Sequence, residues 1–384
     1  MRTLLSGGGE HVVQSERYRI FPARPFRFRS LIMTQDLFAA ALQQAVDIAR
    51  QAPSSHNCQP WSLHYDADAR CGRLAIDRRR ALQSLPSLER EMLMSCGIFF
   101  EYLSALLNCA GSPLAWRWEN GPTHLLSFAP AAPAAPDRAA HRQLAQLIGE
   151  RHTARAAYQP TPINEAQRMQ LQTLFDGTAS SLSIAGDERA RRRVAQLTAR
   201  HAALDFSDRQ AWRETYQYIR FNERQPTDDG FHLHHLFGPV SPAFKRFFQV
   251  AFHPRLSRLA TGLRLPAYMA QGLAQRVAEG PQYLALCLND ESAEHLFATG
   301  MRLGRLWLTL QHWGWGLHPI SVLVQHAEAR RELAATLALS APPVFFARFG
   351  HLQQWGSAAP RRSWQSILTA PPSGECAHPG NDSP

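Results

Sequence analysis

The sequence predicts an α+β protein made of two fused halves, each a mainly antiparallel sheet flanked by helices. Each half holds one long apolar helix studded with small residues: Glu89–Cys109 with Ser95, Cys96, Gly97 and Ala105, and Glu291–His312 with Gly300 and Gly304. Short strand-like runs lie on both sides of each long helix. Between the halves, Ala129–Asp137 sets Pro130, Pro133 and Pro136 among alanines, which reads as a linker. A chain of 384 residues is also long for one core, so two units are the default. The expected division is a first half over 34–137 and a second over 138–370.

In chain order, residues 1–33 read as a disordered leader: Gly7-Gly8-Gly9 and scattered charges leave no apolar core for a signal peptide, and Met33 is an alternative start. Gln35–Ala52 carries Leu37, Leu42, Ala45, Val46, Ile48 and Ala49 at helical spacing and stops at Pro53. Trp61–Tyr65 and Arg73–Ile76 form a hairpin pattern, and Leu125–Phe128 reads as a further strand. After the linker come helices over Arg138–Arg151, Asn164–Phe175 and Glu188–Leu204, with strands at Ser180–Ile184, Tyr283–Leu288 and Val344–Phe349. Gln225–Gly280 is read as an irregular, packed lid: prolines recur at 226, 239, 242, 254 and 266, and Phe231, Phe237, Phe244, Phe247, Phe248 and Phe252 lie among them. Residues 371–384 read as a disordered tail.

The composition, 45% hydrophobic and 19% charged, is that of an ordinary folded chain with a sizeable core. The net charge of +10 invites a nucleic-acid reading, but Lys245 is the sole lysine and the arginines are spread along the chain, so none is expected. Two or three arginines are enough for an anionic cofactor or substrate. No membrane span is expected, and the cytoplasm is the default compartment. Six cysteines show no CxxC spacing, and no metal is expected. His232, His234 and His235 lack a carboxylate or cysteine at ligand spacing and read as solvated loop histidines. No GxGxxG after a strand, no Walker loop and no GxSxG elbow occurs.

Three segments carry chemistry. Pro53-Ser54-Ser55-His56-Asn57-Cys58-Gln59-Pro60-Trp61 is a stiffened loop of short hydroxyl and amide side chains, suited to a planar heteroaromatic ligand or to a plain capping turn. Arg151-His152-Thr153-Ala154-Arg155 sets two guanidinium groups four apart, on one helical face or across a loop, a pattern that suits a phosphate. The third runs through Gly314-Trp315-Gly316-Leu317-His318-Pro319-Ile320-Ser321-Val322, then Arg348-Phe349-Gly350 and Arg361-Arg362. Its backbone N–H groups near Ile320 and Ser321 are candidates to face a ligand. His56, Tyr218, His232 and the lid aromatics are candidates to line the cavity.

Together these segments resemble the nitroreductase superfamily. Pro53–Trp61 resembles its PSxxNxQPW loop, and Arg151–Arg155 its Arg-[Arg/His]-Ser-x-[Arg/Lys] motif, with Thr153 in the serine's place. Phe221-Asn222-Glu223-Arg224 is similar to the segment whose asparagine contacts the flavin ring. His318–Val322 resembles the loop over flavin N5, with Ser321 where an acid is usual, and Arg361-Arg362 the C-terminal phosphate-binding pair. The resemblance implies FMN as cofactor. It implies Pro53, Ser54, Ser55, Asn57, Arg151, His152, Thr153, Arg155, Asn222, Pro319, Ile320, Ser321, Arg361 and Arg362 as its contacts, with no catalytic side chain singled out. In ordinary members the Arg motif precedes the PSxxNxQPW loop, and the two meet across a homodimer. The reversed order here resembles the fused, pseudo-dimeric (Acg-like) branch, so one chain is expected to supply both walls of one site, as monomer or homodimer. The first half offers no Arg motif of its own beyond Arg27-Phe28-Arg29-Ser30, so one site is expected. The implied activity is hydride transfer between NAD(P)H and a small organic substrate. The alternatives are dehydrogenation of a biosynthetic intermediate and a non-catalytic flavin store.

Overall fold

A computed structural model describes residues 34–370 apart from 120, 122, 354 and 355. The expected leader with Arg27–Ser30 and Met33, and the expected tail, lie outside the described residues. In the first half, α1 (Thr34–Ala49) is followed by β1 (Trp61–Asp66), β2 (Cys71–Ile76), α2 (Leu88–Cys109), β3 (Leu114–Trp118) and β4 (Leu126–Pro130). The second half starts with α3 (Arg138–Glu150), α4 (Glu165–Thr173), β5 (Ser180–Ala185), α5 (Glu188–Ser207) and α6 (Arg209–Gln217). Next come β6 (Ile219–Arg220), β7 (Phe231–His232), α7 (Leu233–Phe237), α8 (Pro242–Ala251), α9 (Ser257–Gly262) and α10 (Leu265–Ala278). The chain then forms β8 (Gln282–Leu288), α11 (Ala293–His312), β9 (Trp315–Pro319), α12 (Val322–Gln325), α13 (Ala327–Leu337), β10 (Pro343–His351) and β11 (Leu368–Thr369).

The first sheet has the order β11-β1-β2-β4-β3 and the second β5-β8-β10-β9, the latter antiparallel throughout. β11 arrives from the far end of the chain and pairs parallel to β1, Leu63 opposite Leu368 and His64 opposite Thr369. An open edge beside β1 is thereby covered by residues assigned to the second half. β3 is the strand the sequence pattern does not announce, because none of its five residues is buried. α4 begins as its sequence suggests: Asn164 and Gln167 close a reciprocal capping box.

The small residues of the two long helices serve a mutual contact. A Cβ on Gly97 would lie 2.1 Å from the Phe297 carbonyl oxygen, and one on Gly300 would lie 2.2 Å from the Met94 carbonyl oxygen. α2 and α11 therefore cross backbone to backbone, and a single core runs through both halves, from Leu42 and Phe99 to Leu306 and Ile367. α2 has the length and hydropathy of a membrane-crossing helix, yet 83% of its apolar window is buried inside the protein.

The lid corrects the sequence expectation. Gln225–Gly280 is largely helical rather than irregular, since Pro242 and Pro266 each sit in the first turn of a helix. Proline at that position removes an N–H that has no helical partner. Phe248 and Phe252 stack at 4.5 Å and, with Trp212, give this region a core of its own.

Candidate functional site

The motif segments converge on one cavity of about 2000 Å³. Pro53, Ser54, Ser55 and Asn57 line it from the first half; Arg151, His152, Thr153 and Arg155 line it from the second. Pro319, Ser321 and Arg361 complete the sequence-predicted residues on its wall. The lid supplies aromatic cover from Phe231, Phe237, Phe244, Phe247, Phe248 and Phe252, as expected.

The first loop is a tight structure, not a plain cap. His56, Asn57 and Gln59 all have positive φ, at 52°, 56° and 51°, a conformation that side chains other than glycine adopt at a cost. Hydrogen bonds hold it there. The Gln59 N–H donates to Ser54 Oγ at 2.9 Å, and Asn57 Nδ2 donates to the carbonyls of Gly230 and Pro360 at 2.8 and 2.7 Å. The loop is thus tied to both the lid and the C-terminal segment. Asn57 Oδ1 stays buried without a partner among the described residues.

Two arginines bracket the same carbonyl. Arg151 Nη2 donates to Gln51 O at 2.9 Å and Arg361 Nη2 donates to it at 3.3 Å. Gln51 lies just past the end of α1, where helix carbonyls attract cations. Arg151 also stacks on Trp307, 4.8 Å from the ring centroid. Its Nε and Nη1, and Arg361 Nε, are buried with no partner among the described residues. No carboxylate among the described residues pairs with either guanidinium. Burial lowers the Arg151 pKa, and burial together with Arg151 and Arg50 brings Arg361 down to about 9. Arg155, whose Nη1 donates to His235 O at 3.3 Å, is brought down to about 10 by burial and by Arg348 and Arg276. A cationic wall of this kind is prepared for an anion.

His152 is held neutral. Its Nδ1 donates to Glu150 O at 3.1 Å, its Nε2 accepts the Gly356 N–H at 2.7 Å, and burial lowers its pKa. α3 ends at Glu150, so Arg151–Arg155 runs extended rather than helical, with the Ala154 N–H donating to Leu317 O at 3.0 Å. The two guanidinium groups straddle a loop.

Three predicted contacts are placed elsewhere. Arg362 points away from the cavity: Nη1 donates to Gln59 O and Trp61 O at 3.1 and 3.2 Å, and Asp77 lies at 3.8 Å. It pins the C-terminal segment to β1. Asn222 is exposed, and its Oδ1 accepts the Arg224 N–H at 3.0 Å in a local turn. Ile320 is 1% exposed with its side chain in the core, and its N–H is spent on Phe346 O at 2.9 Å, so it has no donor left for a ligand. Among the other candidates, His56 lines the cavity, while Tyr218 stacks behind it at 5.8 Å. His232 is buried and donates from Nδ1 to Arg220 O at 2.8 Å. His232 is therefore structural rather than solvated, while His234 and His235 stay partly exposed.

The sequence reading missed Glu91, which shares a helical face with Ser95 and Ile98 on the cavity wall. The signal was an acid on the apolar stripe of α2. Buried Arg348 was also misjudged as a site element: it donates to His318 Nδ1 at 2.9 Å and to Arg155 O at 2.7 Å, holding the loops that carry the cavity.

No family model matches the chain. It is 63% identical over 342 residues to Probable NAD(P)H nitroreductase PigM of Serratia sp. (strain ATCC 39006), across 88% of this chain and 95% of that protein. It is 28% identical over 150 residues to acg of Mycobacterium tuberculosis, which carries the name of an NAD(P)H nitroreductase, across 38% of this chain and 44% of that one. Among solved structures, the FMN-dependent nitroreductase NfnB from Mycobacterium smegmatis in complex with NADPH is 16% identical, with 57% of this chain and 95% of that one covered and a TM-score of 0.35. Iodotyrosine deiodinase bound to FMN and 3-iodo-L-tyrosine is 12% identical, with 56% and 94% covered and a TM-score of 0.34.

Proposed function

The chain belongs to the nitroreductase family, and on that premise we propose that it is an FMN-dependent oxidoreductase moving hydride between NAD(P)H and a small organic substrate. One observation carries the cofactor reading. Arg151 and Arg361 sit together in one cavity with buried, unspent N–H donors, and neither is ion-paired to a carboxylate among the described residues. Two such charges call for a dianion, and a phosphate monoester matches guanidinium geometry. Arg151 and Arg361 would hold the phosphate. Ser54, Ser55 and Asn57 would orient the ribityl chain and ring, Asn57 Oδ1 offering the acceptor for a ring N–H.

Bound FMN supplies two-electron hydride chemistry. The chain's own contribution is positioning and charge. Arg155 adds fixed positive charge on the same wall, where it would stabilise negative charge on a bound cofactor. Neutral His152 keeps the strand between the arginines in place. The lid aromatics exclude water from the reacting face while leaving an entrance, because Phe247 and Tyr268 line the cavity and are 54% and 80% exposed. An entrance favours turnover over a sealed flavin store. The cytoplasm, where NAD(P)H is available, fits this role.

The test is spectroscopic. Purified protein should bind FMN with a yellow flavin spectrum and bleach it anaerobically with NADH or NADPH. Colourless protein that ignores added FMN would falsify the cofactor reading. Bleaching by an organic substrate without nicotinamide, with oxygen as acceptor, would assign the dehydrogenase direction instead. FMN that no nicotinamide reduces would mark a store.

The basic pair at 361–362 should split. Arg361→Met is expected to weaken FMN binding about 10- to 100-fold and leave apo stability nearly unchanged. Arg362→Met is expected to cost about 3 kcal/mol in denaturant unfolding, since the carbonyls of Gln59 and Trp61 lose their donor, with FMN affinity per folded molecule preserved. Equal effects of the two changes would contradict the assignment.

A further inference from the structure

We propose that Glu91 is the proton source of this site, passing its carboxyl proton through Ser55 Oγ into the cavity. The inference rests on the oxidoreductase reading above. Glu91 is 9% exposed and sits on the cavity wall beside Ser55. One carboxylate oxygen, Oε2, is in hydrogen-bond contact with Ser55 Oγ, and the other, Oε1, accepts from Gln325 Nε2 at 3.0 Å. Because the Gln325 amide occupies Oε1, a carboxyl proton has one place to reside, on Oε2 facing Ser55. Ser55 Oγ then accepts that proton, and its own hydrogen is free to point into the cavity. Ser55 is the group that reaches the substrate; Glu91 acts through it.

The surroundings favour the neutral acid. Burial is the largest influence on Glu91 and raises its pKa above the ordinary carboxyl value, outweighing the hydrogen bonds to Ser55 and Gln325, which lower it, while Asp205 on α5 adds to the rise. Arg90, the next residue on α2, pulls the other way, but its guanidinium turns outward to Glu291 at 3.3 Å and Val324 O at 3.0 Å. Asp205 is itself bonded to His326 at 3.1 Å. From the loop, His56 and Cys58 face the same region, the histidine driven toward neutrality and the thiol up to about 12 by burial. No fixed cation on the loop is placed to strip the proton from Glu91.

The chemistry balances. An organic acceptor reduced by two electrons takes one hydride and one proton. The hydride comes from the reduced cofactor. The proton leaves Ser55 Oγ as Ser55 receives one from Glu91, and the Glu91 carboxylate is reprotonated from solvent. General acid help of this kind is typically worth about 10²- to 10⁴-fold in rate.

Glu91→Gln keeps the volume and both hydrogen-bond contacts but carries no transferable proton. The expected result is FMN affinity within twofold of wild type and an unchanged rate of flavin reduction by NAD(P)H. Reoxidation by a quinone or nitroaromatic should slow about 100-fold. In wild type that reoxidation rate should fall as pH rises through the Glu91 pKa, and this dependence should vanish in Glu91→Gln and in Ser55→Ala. A reoxidation rate within threefold of wild type, or an unaltered pH profile, would overturn the proposal. A second measurement needs no cofactor: FMN-free wild type at neutral pH should show an infrared band of a protonated carboxyl that is missing in Glu91→Gln. Absence of that band in wild type also overturns it. If wild type binds no FMN, it is the cofactor reading that falls, and the infrared band still decides whether Glu91 holds a proton.

Discussion

Arg151→Met is expected to weaken FMN binding at least about 100-fold while making the FMN-free protein slightly more stable. The opposite signs follow from one fact: Arg151 is only 3% exposed, and two of its guanidinium nitrogens are buried with no partner among the described residues. Without a ligand, that charge is desolvated and uncompensated, and a flexible apolar chain of similar length relieves the penalty. The gain is partly offset by losing the stack on Trp307. The Gln51 carbonyl is not orphaned, because Arg361 also donates to it. The net change should be about +1 kcal/mol in denaturant unfolding of the apo protein. With FMN the sign reverses. A buried charge-assisted contact to phosphate is lost, and affinity should fall at least about 100-fold, roughly 2.7 kcal/mol. Titration by flavin fluorescence quenching and apo unfolding curves report the two halves separately. Wild-type affinity in the variant would remove Arg151 from the site.

The second large effect lies at the helix crossing. Gly300→Ala should cost at least about 3 kcal/mol or prevent accumulation of folded protein. Its Cβ would stand 2.2 Å from Met94 O, 2.6 Å from Met94 Cα and 2.8 Å from Met94 C. These are backbone atoms inside a helix and cannot swing aside, so α2 and α11 must separate, and the core shared by the halves opens with them. Met94, Ile98, Leu303 and Trp307 on the same two helices line the cavity, so FMN affinity should drop in any folded fraction. Gly272→Ala in α10 is the matched control. A Cβ there meets nothing within 4 Å, and the better helix former should stabilise by about 0.5–1 kcal/mol. Similar behaviour of the two variants would mean the crossing is looser than described.

Which features were legible follows from their range along the chain. The long helices, the hairpin of β1 and β2, and the central strands of the second sheet are written in local periodicity, and the structure has them within a few residues. The glycines of α2 and α11 announced a close contact before its partner was known. The lid was misread because prolines were taken as breakers, although Pro242 and Pro266 occupy helix starts. Arg362, Asn222 and Ile320 were assigned because the segments that hold them resemble family motifs, and a segment's likeness does not fix which of its side chains faces the cavity. An extended backbone alternates its side chains, so a neighbour of a site residue often faces the core or solvent.

By itself, the sequence determined the α+β class and the chemical character of the site: short hydroxyls and amides in one segment, guanidinium groups in another. Those properties depend on residue type and short spacing. Only the tertiary structure decided that Gln51 O lies between Arg151 and Arg361, that β11 closes the first sheet, and that Glu91 stands behind Ser55 with Gln325 on its far oxygen. Each of these joins residues more than 30 positions apart. Such contacts arise from how the helices and sheets pack around one core, a collective outcome that local propensity does not encode.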